Sequence, residues 1–180
     1  MGLIEEDRSM KEVELSQGKM ALVDDEDYDN VIKHVWSVSR ARNTWYAVTT
    51  IYYGDLKTSI SLHRFILAPP DDAIVDHRDR NGLNCQRRNM RLATLSQSMM
   101  NRYVPQSEHG TGFRGIEKNK NKWTARIRAD NERTNLGTYD TPEEAARAYD
   151  RAAMELHGEF AVLNFEYTVS CFSNTGPIAA

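Results

Sequence analysis

Cysteine is scarce in this chain. Its 180 residues hold two, Cys85 and Cys171, too far apart to form a Cys-x-x-Cys pair. That spacing gives no support to a zinc ribbon and argues against a disulfide scaffold. Long apolar runs are also missing: none approaches the ~20 residues that cross a bilayer, so no membrane partner is expected. The opening stretch, MGLIEEDRSMKE, is acidic and has no secretory apolar segment, and its Met-Gly start lacks a convincing myristoylation pattern. A cytoplasmic location is therefore expected. Runs of aromatic residues of the kind that stack on single-stranded bases are absent, which leaves an RNA-binding reading with little support. Nothing calls for an obligate protein partner.

Nor does one sign of charge dominate. The net charge is −3, with 23 Lys and Arg against 26 Asp and Glu. The distribution says more than the sum. Residues 21–30, ALVDDEDYDN, hold five acids and no base, whereas residues 113–133 hold seven Lys or Arg against three acids. An apolar share of 40% and a charged share of 27% are those of a globular protein with one domain or two small ones.

The most informative stretch is Val75 to Asn101, VDHRDRNGLNCQRRNMRLATLSQSMMN. A short apolar run delivers Asp76 and His77 to a strand end. A polar loop with the turn-former Asn81-Gly82 follows, then a second short strand from Met90 and a helix from about Ser96. A carboxylate beside an imidazole on such a frame suits phosphodiester hydrolysis. The imidazole can take a proton from water near neutral pH, and the carboxylate, with a ligand from the helix, can hold a divalent cation.

Upstream, residues 1–20 are expected to begin as a loose arm that joins a strand near Lys19 to Val23. Asp24 or Asp25 can cap a short helix whose Tyr28, Val31, Ile32 and Val35 share a face, and the acidic patch is expected to be a solvated helix start. Two β-runs flank the hairpin signal Gly54-Asp55. His63 is expected to be a hydrogen-bonded structural histidine, and Pro69-Pro70 to end its element.

Asp76-His77, Asn89 before Met90-Arg91-Leu92, and Thr94, Gln97 and Asn101 together resemble the core of HNH homing endonucleases, the ββα-metal nucleases frequent in phages and mobile introns. Leu15 to Lys19, Val23 to Tyr28, Trp36 and Leu62-His63-Arg64 extend the resemblance over most of residues 12–102. It implies His77 as general base, Asn89 as the asparagine that braces the loop, and Asp76 as a ligand of one Mg²⁺ or Mn²⁺ ion. The helix ligand of that family is usually Asn or His. The matching position here is Ser98, 22 residues after Asp76, with Asn101 one turn further on.

Residues 103–110 are expected to be a linker, and a second unit follows. Three short strands, Gly112 to Ile116, Lys122 to Arg128 and Arg133 to Tyr139, precede a helix capped by Thr141, with Pro142 and Glu144 completing its start. Within the middle strand Trp123, Ala125 and Ile127 alternate with Lys122, Thr124, Arg126 and Arg128. Ala145, Ala148, Tyr149, Ala152 and Leu156 form the expected buried stripe. GFRGI, KWTARIR, NLGTYDTPEEAARAYDRAA and LNF resemble the AP2 domain of plant ethylene-response factors over residues 111–165. That family docks its sheet in the DNA major groove, which implies DNA contacts at Arg114, Arg128, Arg133 and Asn135. Lys122 and Arg126 join them from the polar side of the middle strand. Arg126 stands where plant domains often have Glu, and Glu117 replaces a family arginine. Residues 166–180 carry no readable signal and are expected to be loose.

The expectation is thus an α+β protein: a β-hairpin and helix region with a ββα-metal HNH core over residues 1–102, then a three-stranded antiparallel sheet with a helix. Its expected function is metal-dependent nicking of double-stranded DNA. The rival reading is a sequence-specific DNA-binding regulator with a vestigial nuclease core.

Overall fold

The computed structural model describes residues 9–41, 43–102, 112–129 and 132–167. The chain divides into two compact units after Tyr103. Residues 103–110 of the expected linker, and all but Glu166 and Tyr167 of the expected tail, lie outside the described residues.

The first unit holds three small antiparallel sheets. β1 (Met10–Glu14) pairs with β2 (Met20–Asp24). Residues 1–8 of the expected loose arm lie outside the described residues; ahead of the strand expected near Lys19, the chain is already a strand from Met10. Only Val13 of its five residues is buried, so it carries almost no alternation to read. α1 (Asp25–Val31) is short. Val31 is buried, but Ile32 and Val35 are 52% and 88% exposed, because the helix has ended and its period no longer governs them. Trp36 closes that end by donating Nε1–H to the Val31 carbonyl at 2.8 Å.

β3 (Ser37–Arg40), β4 (Trp45–Tyr53) and β5 (Leu56–Ser61) form the second sheet, with the β4–β5 turn at Gly54-Asp55 as expected. Leu62-His63-Arg64 begins a helix, α2 (Leu62–Leu67), whose Leu62 and Ile66 are buried one turn apart. Burying such a side chain contributes about 1.5–3 kcal/mol. The third sheet pairs β6 (Ile74–His77) with β7 (Met90–Ala93), placing Asp76 opposite Arg91 and His77 opposite Met90. α3 (Leu95–Met100) follows, and its capping box joins Thr94 to Gln97.

The second unit is a three-stranded antiparallel sheet with one helix. β9 (Lys122–Ala129) lies between β8 (Ile116–Asn119) and β10 (Glu132–Tyr139). The strand expected over Gly112 to Ile116 instead starts at Ile116, since Gly115 adopts φ +75° in the preceding turn. A Cβ there would also lie 2.2 Å from the Tyr149 ring. α4 (Pro142–His157) carries the expected box of Thr141 and Glu144. Its buried line runs Ala145, Tyr149, Ala153, His157, each one turn from the last. Leu156 is half exposed, off that line, and His157 takes its place with Nε2 3.0 Å from the Arg128 carbonyl. Asp150, fully buried, accepts hydrogen bonds from the Asn164 and Phe165 amides, the Asn164 side chain and the Tyr167 hydroxyl, so LNF is pinned to the helix. Among the described residues no helix is long and apolar enough to cross a membrane.

Candidate active site

Asp76 and His77 end β6, and both are buried, at 6% and 5% exposure. Every hydrogen bond described on the Asp76 carboxylate falls on Oδ2. Arg91 donates from Nε at 2.9 Å and approaches with a second guanidinium nitrogen, also at 2.9 Å; Asn101 donates from Nδ2 at 3.0 Å. The same Asn101 amide also donates to the His77 carbonyl at 2.7 Å, tying α3 to the strand that carries both site residues. The cross-strand pairing of β6 and β7 brings Arg91 to Asp76.

His77 sits in a cage of rings. The His63 ring stands edge-on 5.2 Å away, and Tyr46 lies at 5.9 Å. Its Nε2 is 4.0 Å from the buried Cys85 sulfur. Burial pushes the His77 imidazole below its ordinary pKa, against the opposing pull of Asp79 and Asp76, which favours the neutral ring. Burial pushes the Cys85 thiol up to about 12, so it remains protonated. Burial with the neighbouring His77 and Arg64 lowers His63 to about 4. His63 Nε2 meets the Ser61 hydroxyl at 2.9 Å, while its Nδ1 is buried without a protein partner.

Asn89 holds the loop between the strands. Its side chain donates to Asp79 at 2.9 Å and to the Asn84 carbonyl at 2.8 Å, and accepts from the Asp79 amide at 3.1 Å. The loop is also fastened from outside. Leu22 and the loop exchange backbone hydrogen bonds at Leu83 and Cys85, both 2.8 Å. Gly82 lies against β4, where a Cβ would come within 2.5 Å of the Trp45 carbonyl and the Tyr46 ring. The expected solvated acidic patch is another fastening. Asp24 and Asp27 are buried; Asp24 accepts the Arg87 amide and the Gln86 side chain, and Asp27 binds the Arg87 guanidinium at 2.8 and 2.7 Å. Asp24 occupies the N-cap position of α1 yet makes no cap bond, because the loop takes its oxygens.

Ser98 lies half-buried on α3, three residues before Asn101. Around Asp76 and His77 stand His63, expected as a structural histidine, Asn101, which the HNH resemblance set one turn beyond the helix ligand, and Arg91 and Tyr46, to which no role was assigned from sequence. Arg91 and Asn101 had a signal, an arginine facing an acid across a hairpin and an asparagine on the helix. Tyr46 had none, since only tertiary folding brings β4 to this hairpin.

In the second unit the sheet's helix-free face gathers Arg126, Arg128, Arg133 and Asn135. Strand register sets Arg128 opposite Arg133 and Arg126 opposite Asn135. Lys122 pairs with Asp140 at 2.9 Å. Arg114 donates from Nε to the Tyr149 hydroxyl on α4 at 2.9 Å.

The AP2 domain family model matches residues 111–159. Over 55 residues the chain is 53% identical to the ethylene-responsive transcription factor ERF025 of Arabidopsis thaliana, covering 29% of this chain and 24% of that protein. The similarity to ERF024 of the same plant is 50% over 62 residues, 32% of this chain and 34% of that protein. An N-terminal region of the chain is similar to an uncharacterized HNH endonuclease, L560, of Acanthamoeba polyphaga mimivirus, 37% identical over 111 residues. The pattern is an HNH-like region followed by an AP2 domain. The chain spans 57% of the viral relative's length and that match covers 58% of this chain. The AP2 domain accounts for the sheet-and-helix unit, and the HNH resemblance for the β6–loop–β7–α3 frame around Asp76 and His77.

Proposed function

We propose that the protein is a metal-dependent endonuclease that nicks double-stranded DNA, guided by its AP2 sheet. The observation that carries this reading is the adjacency of a neutral, desolvated His77 and a carboxylate fixed through one oxygen, on a strand–loop–strand–helix frame. The Cys85 thiol donates to the Gly82 carbonyl at 3.8 Å, so its sulfur suits a His77 Nε2 that carries the ring proton, which leaves Nδ1 as the nitrogen that accepts a proton from water. Asn89 keeps the loop in shape, and Asn101 keeps α3 against the His77 backbone.

The donor set suits a hard divalent cation. Asp76 Oδ1 would hold it, with Ser98 reaching it directly or through water. Such an ion supplies positive charge to the scissile phosphate and to the leaving oxygen. Arg91 and Asn101 hold Asp76 by Oδ2 and so aim its other oxygen. The sheet face of Arg126, Arg128, Arg133 and Asn135 would dock on duplex DNA, and Lys122 and Arg114 would add charge at its margins. One site cuts one strand per event.

Supercoiled plasmid incubated with Mg²⁺ or Mn²⁺, with and without chelator, tests the reading. Metal-dependent nicking is expected, and His77→Ala should lower its rate by about 10²–10⁴ while DNA affinity holds. Burial of His77 predicts that the acid-side fall in the wild-type rate has its midpoint below the ordinary imidazole value of 6.5. A gel shift without nicking would instead favour the DNA-binding regulator, a reading to which the Arg91 pairing of Asp76 and the serine at position 98 lend weight.

A further inference from the structure

Three strands of the AP2 sheet are joined at their open face by one carboxylate. Glu117 lies on β8, Arg126 on β9 and Arg133 on β10. Glu117 is registered with Thr124, so Arg126, two residues on, is its diagonal neighbour on the same face; Arg126 faces Asn135, and Arg133 faces Arg128. The Glu117 side chain gives one oxygen to each guanidinium: Oε2 accepts from Arg126 and Oε1 from Arg133. All three side chains keep contact with solvent, from 33% exposed for Glu117 to 59% for Arg133. Arg128, exposed and next along the same face of β9, has no ion pair among the described residues.

An exposed ion pair of this kind adds little stability. Its consequence lies in what it does to DNA contact. A phosphate approaching Arg126 or Arg133 meets a carboxylate that repels it and already occupies part of each guanidinium. The remaining N–H donors are held in a set direction, as a base edge such as that of guanine requires. Both Glu117 oxygens are engaged, so its own role is to orient the two arginines. We propose that Glu117 is a specificity-determining residue: it fixes Arg126 and Arg133 for base recognition and halves their combined charge, while Arg128, outside this Glu117 pairing, supplies backbone grip. This rests on the sheet being the DNA-docking face.

The test uses the full chain, a random-sequence duplex, and fluorescence anisotropy over a range of NaCl concentrations. Glu117→Gln should tighten binding to that duplex about tenfold at low salt and steepen the salt dependence by about one phosphate contact. Selection from a randomised duplex pool should then give a weaker consensus than the wild type gives. Arg128→Gln should weaken random-duplex binding and flatten its salt slope by about one contact, whereas Arg126→Gln should do so far less. The proposal is overturned if Glu117→Gln leaves affinity, slope and consensus unchanged, or if Arg126→Gln costs as much as Arg128→Gln. Thermal melting checks that each variant folds; if Glu117→Gln does not, the contrast between the two arginine variants decides. If the wild type binds no duplex at any salt, the docking reading itself falls and the inference with it.

Discussion

Acids and arginines meet in both units, but to opposite effect. In the HNH-like unit they turn inward: Asp24, Asp27 and Asp76 are buried and consumed by Arg87, Arg91 and loop amides. On the AP2 sheet face they stay at the surface, where Glu117 restrains two arginines and a third, Arg128, has no ion pair among the described residues. A reaction centre needs groups whose hydration has been replaced by fixed partners. A groove-docking face needs charges that exchange water and counterions for phosphate. Substitutions around Asp24, Asp27 and Asp76 should therefore cost stability and chemistry together, and those on the AP2 sheet face should cost binding alone.

The sharpest way to break that contrast is to pair Arg91→Ala with Arg128→Ala. The first leaves Asp76 buried with Asn101 as its remaining described partner and should destabilise its unit by about 3–5 kcal/mol. The second should change stability by less than about 0.5 kcal/mol. Urea titration followed by tryptophan fluorescence measures both, and equal costs would erase the distinction.

His63 offers the next largest effect. Its folded pKa of about 4 lies below the unfolded 6.5, so in that interval the unfolded chain binds more protons. Stability contributed by keeping it neutral is complete above pH 6.5 and is lost as pH falls towards 4. The loss is of order 3 kcal/mol at most. Denaturation curves of wild type and His63→Gln should converge on acidification, the wild type losing more. Asp24→Ala should cost about 1–3 kcal/mol by leaving the Arg87 amide and Gln86 without their acceptor, and should lower nicking by loosening the loop.

How much of this could be read from the chain follows the same division. The AP2 helix start, Thr141-Pro142-Glu143-Glu144, and the alternation of β9 are local signals, and the fold of that unit follows from them. In the first unit the hairpin turn and the Asp76-His77 pair are also local. What brings Asp24 to Arg87, however, spans 63 residues. An acidic run looks solvated until the loop that occupies it is in place. For the same reason β1 and α2 went unread: one has a single buried position in five, and the other is only six residues long. Arg114 matched a contact position by motif, yet Tyr149 on α4 holds its Nε.

Ser98→Asn carries the smallest expected effect and bears most directly on the site. Asn101 has its amide nitrogen committed to both Asp76 Oδ2 and the His77 carbonyl, so it serves to dock α3. The HNH resemblance sets the helix ligand for the cation at position 98, one turn earlier, where a serine hydroxyl is short and weakly donating. An amide oxygen there should raise metal affinity and the nicking rate about tenfold, the lower end of what a supporting change near a metal achieves. Half-buried Ser98 leaves room for a stability change within about 0.5 kcal/mol. Metal titrations of the nicking rate in the two proteins measure the effect. If Ser98→Asn is neutral while Asn101→Ala abolishes metal dependence in a folded protein, the cation belongs one turn further along α3, and the role given to Asn101 passes to Arg91 alone.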